Sequence, residues 1–200
     1  MNIDNFAHKS KSWDMNSKRV QNAKSIAEHI LKNIKLEPNM KIMDFGAGTG
    51  LLSRFIAPYV HTIVAVDNSP SMLKIFKEKS EDFRCNTEVI ELDLSQSNLD
   101  NKFDGIISSM TIHHLEDTKA LFIKFYTMLE KNGFIAIADL DREDGSFHSD
   151  NTGVFHYGYD RNKLETIAKE VGFKNIHFVL ANTIKKPHKD FTIFLMLALR

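Results

Sequence analysis

The sequence predicts an α/β fold: a doubly wound, mostly parallel sheet with helices on both faces and an antiparallel strand at its C-terminal end. Three observations carry this. Short apolar strands alternate with helical stretches over 41–139, the pattern of strand–crossover–strand units. A glycine-rich run, Asp44-Phe45-Gly46-Ala47-Gly48-Thr49-Gly50, sits where the first strand gives way to the first crossover helix. The alternation then stops: a polar stretch over 140–159 leads to one helix and two β-rich segments spaced for a hairpin.

Taken in order, Val20, Ala23, Ile26, Ile30 and Ile34 recur at helical spacing and predict an amphipathic helix over 17–35, ended by Pro38 and Asn39. Strands follow at 41–45, 62–66, 87–92, 103–108 and 134–139. The intervening helices begin near Gly50, Pro70, Ser95 (a short one) and Glu116, and Lys131-Asn132-Gly133 reads as a helix C-cap before the fifth strand. Asp160 is a plausible N-cap for a helix running to Val171, which Gly172 stops. The β-rich segments 173–181 and 191–199 flank a short loop containing Pro187.

Two hundred residues suit one domain with a well-buried core. Within it, 1–36 forms an N-terminal lid and helix, 40–139 a ligand-binding core, 140–159 an insertion beside it, and 160–200 a terminal helix and hairpin. Lys+Arg and Asp+Glu both total 26, so no global field draws in nucleic acid or an anionic membrane. Basic clusters in the first forty-one residues and at Lys185, Lys186 and Lys189 read as solvated surface. Cys85 is the only cysteine, which removes intrachain disulfides and cysteine-based metal sites. There is no apolar leader region and no apolar run of the roughly 20 residues a membrane span needs. The expectation is a soluble, cytoplasmic protein.

The glycine run carries the chemistry. Glycines at alternate positions let the backbone turn tightly and approach a ligand closely. Backbone N–H groups at the following helix start favour an electron-rich ligand group. The spacing narrows the ligand. A dinucleotide fingerprint needs Gly-x-Gly-x-x-Gly or Ala, but the sixth position is Leu51 counted from Gly46 and Ser53 counted from Gly48. A P-loop needs Gly-Lys-Ser/Thr, whereas Gly50 is followed by Leu51-Leu52-Ser53. The loop carries no Lys or Arg, and Asp44 repels phosphate while suiting a ligand with an ammonium group.

Asp-x-Gly-x-Gly-x-Gly after a first strand resembles the first motif of class I S-adenosylmethionine (SAM)-dependent methyltransferases, and further motifs follow in order over 40–139. The resemblance implies a Rossmann-like fold with SAM as cofactor, bound through Asp44, Gly46, Ala47, Gly48 and Gly50. Val64-Ala65-Val66-Asp67 is similar to the acid-ended second strand of these enzymes, whose carboxylate holds both ribose hydroxyls; one carboxylate can accept both. Asn68 follows it, and Met72 is placed to pack on the adenine face. By the same resemblance Asp93 accepts from the adenine amino group and the Leu94 N–H meets the ring. Phe103-Asp104-Gly105-Ile106-Ile107-Ser108-Ser109 is similar to the fourth strand, whose end, Ser108 and Ser109, lines the methionine part and the methyl exit.

Ser109-Met110-Thr111-Ile112-His113-His114-Leu115 resembles the equivalent segment of the subgroup acting on small molecules. The Asn/Asp-Pro-Pro-aromatic tetrad of amino-methylating nucleic-acid enzymes is absent there. Cys85 lies on the wrong element for cytosine-C5 chemistry, and a single cysteine cannot serve arsenic methylation. His113 and His114 stand at the mouth of the expected site, with His148 and His156 in the polar stretch beyond. Three roles are open to them: a general base, for which His113 is the candidate; metal ligands completed by Asp139, Asp141, Glu143 or Asp144; or packing and hydrogen bonding to loop backbone. No compact metal-ligand spacing occurs, so no metal is expected. In related enzymes the N-terminal segment folds over the cofactor, and Asn5 to Asp14, with Phe6 and Trp13, either form such a lid or anchor the N-terminal tail to the sheet.

The reading is an enzyme that moves a methyl group from SAM to an oxygen, nitrogen or carbon nucleophile on a small molecule, by direct in-line displacement. The alternative is a SAM-binding sensor or subunit without catalysis. The length and the His and aromatic content of 140–159 favour the enzyme.

Overall fold

A computed structural model describes Asp4, Ala7 and residues 10–200. Seven strands form one sheet in the order β3-β2-β1-β4-β5-β7-β6: β1 (Lys41–Phe45), β2 (Thr62–Asp67), β3 (Asn86–Glu91), β4 (Phe103–Ser109), β5 (Leu129–Leu140), β6 (Lys174–Lys186) and β7 (Lys189–Leu199). The pairings among β1 to β5 are parallel, and β7 runs antiparallel to both β5 and β6. The fold class is the expected one.

Alternation along the strands sorts the core into two layers. Ile42, Ile63, Ala65, Ile107 and Ala136 face one side. There they meet α1 (Ser17–Asn33), α2 (Leu51–Ile56) and α3 (Pro70–Ser80) through Ile26, Ile30, Ile56 and Phe76. Met43, Val64, Val66, Ile106 and Ile135 face the other. They meet α4 (Thr118–Met128) and α5 (Arg161–Val171) through Phe122, Phe125, Leu164 and Ala168. A strand covered on both faces reads as a continuous apolar run, which is why β2 and β5 stand out in the sequence. β3, at one edge, alternates between exposed and half-buried residues.

Helix ends follow their caps. Asn16 accepts from the N–H groups of Lys18 and Arg19 at the start of α1. Asp160 caps α5 as predicted, and Gly172, at φ +115°, ends it. Two expectations fail. No helix begins at Ser95, because Asp93 Oδ1 accepts from both the N–H and the hydroxyl of Ser95 and folds the chain into a turn. Lys131-Asn132-Gly133 is not a helix C-cap either. α4 ends at Met128, and Asn132, at φ +65°, sits in an irregularity where the β4–β5 register shifts between the Phe103–Leu129 and Gly105–Phe134 pairs. The left-handed turn was real, but it belongs to the strand. α4 starts at Thr118 with Asp117 as its cap, two residues after the predicted Glu116.

The order β2-β1-β4 means that the chain leaves β1 toward one side of the sheet and returns to β4 on the other. The carboxyl ends of β1 and β4 therefore border a crevice, the place where open α/β sheets bind ligands.

Candidate functional site

The glycine loop leaves β1 at that crevice. Gly46, Gly48 and Gly50 all have positive φ, at +68°, +53° and +81°. Gly46 is required twice over, since a Cβ there would stand 2.2 Å from the Thr111 side chain. Gly48 differs: a Cβ there would meet nothing within 4 Å, so its backbone faces open space. That is the geometry of a loop which a ligand can approach to contact distance.

Two carboxylates fix the loop. Asp67, at the end of β2, accepts from Gly48 N–H through Oδ2 and from Ser69 N–H through Oδ1, each at 2.8 Å. Burial pushes its pKa up, against backbone hydrogen bonds from Ser69, Gly48 and Asn68 that pull it down. Each carboxylate oxygen keeps a second lone pair, so the group can still accept from a diol. Asp44 lies deeper, 1 % exposed, and its Oδ2 accepts from Ser53 Oγ at 2.6 Å. Burial raises its pKa to about 7, with the Asp67 charge adding to the rise and the Ser53 hydrogen bond opposing it. A buried carboxylate poised between charge states is stabilised as the anion by an incoming cation.

The other expected cofactor residues surround this loop. Ala47 is buried within it and Asn68 is exposed just beyond Asp67. Met72 is buried in the first turn of α3, where its N–H meets the Ser69 hydroxyl. Asp93 is half-buried, with Oδ1 occupied by Ser95, and the Leu94 side chain is buried. Ser108 is fully buried and its hydroxyl donates to the Phe45 carbonyl, tying β4 to β1, while Ser109 is half-buried at the strand end. Next comes Met110 with φ +58°, an uncommon conformation for a side-chain-bearing residue, placed where the chain leaves the sheet toward the histidines.

The N-terminal segment touches the same loop. Asp14 Oδ1 accepts from the Thr49 hydroxyl at 2.6 Å, its Oδ2 accepts from Lys79, and Lys79 also donates to the Thr49 carbonyl. Asp4 accepts from the Ser69 hydroxyl and the Ser71 N–H at the start of α3. Trp13 is half-buried with the Arg19 guanidinium 3.8 Å above its ring. Asn5, Phe6, His8 and Lys9 of the expected lid lie outside the described residues.

On the far side of the crevice His113 and Asp139 form a buried pair, 1 % and 0 % exposed. Nδ1 of His113 lies 2.8 Å from Asp139 Oδ1; the carboxylate can only accept, so Nδ1 carries the proton. The same carboxylate accepts from the backbone N–H groups of His113 and Leu140. Burial disfavours the imidazolium, but Asp139 and the Glu143 charge outweigh burial and raise the His113 pKa. His148 stacks at a tilt 5.0 Å from His113, and burial together with the charges of His113 and His114 lowers its pKa to about 4. His114 is also pushed down, by burial first and by His113 second, while its Nδ1–H donates to the Gly153 carbonyl at 2.7 Å. His156 turns away and hydrogen-bonds the Glu116 carbonyl and Thr118 at the start of α4.

Two of the carboxylates that could complete a metal shell have cationic partners. Asp141 pairs with Arg161 at 2.6 and 2.7 Å, and Asp144 with Lys189 at 2.9 Å. Among the described residues no group of three or more His, Cys, Asp or Glu side chains is arranged to hold a metal ion. No helix among them is long and apolar enough to cross a membrane. Sequence reasoning missed the pairing of His113 with Asp139, the Thr49–Asp14–Lys79 triangle and the Ser53 bond to Asp44. Only the last had a local signal: Ser53 falls on the first turns of the helix that follows the glycine loop.

Comparison with known proteins finds methyltransferases. A family model described as a methyltransferase domain matches residues 42–133. An uncharacterised methyltransferase of Schizosaccharomyces pombe is 31 % identical over 144 residues, which cover 64 % of this chain and 51 % of that protein. A phosphoethanolamine N-methyltransferase of Triticum aestivum is 30 % identical over 151 residues, covering 74 % of this chain and 30 % of that protein. The chain thus spans about half the length of the first relative and under a third of the second. Among solved structures, Haemonchus contortus phosphoethanolamine N-methyltransferase 2 in complex with S-adenosyl-L-methionine superposes with a TM-score of 0.71 at 17 % identity, covering 100 % of this chain and 60 % of that one.

Proposed function

We propose that the chain is a class I SAM-dependent methyltransferase that methylates a small-molecule acceptor by direct in-line displacement. The observation that carries the proposal is the loop itself: three positive-φ glycines, with open space at Gly48, between the buried Asp44 and the half-buried Asp67. This donor set fits SAM, because Asp67 retains lone pairs for a ribose diol and Asp44 answers an ammonium group. Asn68, Met72, Asp93 and Leu94 would border the adenosine half. Ala47, Ser108 and Ser109 would border the methionine half, Ser108 through its backbone alone, since its hydroxyl is spent on Phe45.

When bound, SAM supplies a methyl group already activated on a positively charged sulfur. The chain's task is then alignment and exclusion of water, and alignment can be worth an effective molarity of roughly 10⁵–10⁸ M. His113, with Nδ1–H held on Asp139, presents Nε2 as the proton acceptor. The names of the wheat and nematode relatives describe small-molecule enzymes, which supports a small-molecule acceptor here.

Isothermal titration with SAM, with S-adenosylhomocysteine and with NAD tests the cofactor. Micromolar binding of the first two and none of NAD is expected. Asp67→Ala should bind SAM at least tenfold more weakly, since it loses a charge-assisted acceptor and the anchor of Gly48. Wild-type affinity in that variant would refute the ribose assignment.

A further inference from the structure

Four buried side-chain atoms among the described residues have no hydrogen-bond partner: His113 Nε2, Glu143 Oε1, His148 Nε2 and Asn151 Oδ1. Such atoms are uncommon in folded proteins, and here all four belong to His113 and the segment 143–151. They are one neighbourhood. His148 packs on His113 at 5.0 Å between ring centroids, the Glu143 charge acts on His113, and Asn151 Nδ2 donates to the Gly145 carbonyl at 3.0 Å. The neighbourhood is built as well as unpaired. Glu143 Oε2 accepts from the N–H groups of Gly145, Ser146 and Phe147, which fixes the carboxylate and leaves Oε1 as its free corner.

We propose that the acceptor is an amine that enters as its ammonium ion, that Glu143 Oε1 receives it, and that His113 removes its proton, making Glu143 the residue that selects nitrogen acceptors. This rests on the methyltransferase reading above. The argument is charge balance. The titratable groups acting on His113 are Asp139, Glu143 and His114, and His148 packs against it; Lys186 acts on His148 from β6. His114 and His148 are held toward their neutral forms. Once His113 is in the neutral form a base requires, the neighbourhood holds two carboxylates, Asp139 and Glu143. Asp139 is fully buried, the free oxygen of Glu143 is buried, and Lys186, held on the Phe147 carbonyl, forms an ion pair with neither. Unbalanced buried negative charge is costly, and an ammonium ion supplies the missing positive charge where a neutral hydroxyl does not.

The proton accounting closes. The ammonium gives one proton to His113 Nε2, which becomes an imidazolium paired with Asp139. The freed nitrogen lone pair forms the bond to the methyl carbon as the bond from that carbon to sulfur breaks, the electron pair staying on sulfur. The methylated amine leaves protonated, and His113 returns its proton to water. Because His113 is 1 % exposed, the acceptor reaches Nε2 by displacing the His148 ring packed 5.0 Å from it, while Glu143 stays held on its three N–H donors.

Glu143→Gln is the test. Gln keeps one oxygen for the three backbone N–H groups and puts an NH₂ where Oε1 stood, so size and loop anchoring survive while the charge is lost. Protein saturated with S-adenosylhomocysteine is titrated with methylammonium chloride, with sodium chloride as the ionic-strength control, and the ring resonances of His113 and His148 are followed by NMR. The wild type should show saturable shifts, and Glu143→Gln should bind roughly tenfold to a hundredfold more weakly at unchanged affinity for S-adenosylhomocysteine. In parallel, SAM with a ¹³C methyl group is incubated with the small-molecule fraction of a cell extract, and the carbon shift of the product identifies the methylated atom. An N-methyl product that Glu143→Gln fails to make supports the proposal. An O- or C-methyl product, methylammonium shifts equal in both proteins, or no shifts in either would overturn it. Failure to bind S-adenosylhomocysteine would instead strike the cofactor reading.

Discussion

Asp139→Asn separates an orienting role from a merely structural one. Asp139 accepts three N–H bonds: His113 Nδ1 at 2.8 Å and Leu140 N at 2.7 Å on Oδ1, and His113 N at 3.2 Å on Oδ2. Asn can offer one oxygen. Placed at Oδ1 it keeps the two short bonds and turns its NH₂ toward the His113 backbone N–H, so two donors face each other in a dry site. One unsatisfied buried donor costs about 1–3 kcal/mol, and a chemical denaturation curve at neutral pH should show that loss. The pH profile is the sharper readout. A base must be neutral to take a proton, so wild-type turnover falls as pH drops through the His113 pKa, which Asp139 holds above the ordinary value. Without that carboxylate burial dominates, the imidazole is harder to protonate, and the acid limb should move to lower pH. The plateau should drop roughly 10²–10⁴-fold as the ring loses its fixed orientation. Initial rates at saturating SAM across the pH range decide the matter. An acid limb unmoved by Asp139→Asn would refute His113 as the titrating base.

Asp44→Asn should stabilise the protein at alkaline pH while weakening SAM. The folded pKa of about 7 lies above the ordinary 3.8, so the carboxylate destabilises the fold progressively as pH rises from 3.8 to 7, by a limit on the order of 4 kcal/mol. Thermal melts of the two proteins should therefore converge at acid pH and separate at pH 8; parallel curves would contradict the assignment. His148→Phe should flatten acid sensitivity. A folded pKa of about 4 means that the unfolded chain binds a proton first, so stability falls as pH drops from 6.5 toward 4. Because this ring is only partly shielded from water, the part removed by the substitution should be about 1–2 kcal/mol, read as the difference between melts at pH 7 and pH 4.5.

What was legible in the sequence depended on how local its physics is. Asp44, Gly46, Gly48 and Gly50 lie within seven residues, and glycine spacing separates their loop from a dinucleotide loop while the missing lysine separates it from a phosphate loop. The strands of the sheet centre were readable because burial on both faces leaves apolar runs such as Ile63 to Val66 and Phe134 to Ala138. Asp160 and Gly172 announced α5 because capping is decided by a residue and its neighbours within the next turn. Ser95 misled for the complementary reason: the strand–helix alternation called for a short helix there, but Asp93 is two residues away and its side chain captures the backbone first. Asn132 supplied the left-handed residue the sequence promised, yet whether that turn ends a helix or bends a strand depends on β4 alongside it.

The histidine neighbourhood had no such local signature. His113 meets Asp139 across 26 positions, and His148 meets both only because the chain after β5 doubles back. That return is held by contacts remote in sequence: Tyr159 N–H to the Leu140 carbonyl, Phe155 and His156 N–H to the His113 carbonyl, and the Tyr159 hydroxyl to the Ile112 carbonyl. Each ties 140–159 to the exit of β4 or β5. The cofactor half of the crevice is thus set by a loop whose geometry tolerates little change. The acceptor half proposed here rests on a segment held at both ends and, in its middle, by the Glu143 N–H on the Tyr157 carbonyl and by three backbone N–H groups on Glu143 Oε2. Exchanging residues 143–151 with those of a relative should therefore move acceptor preference and leave SAM affinity where it was.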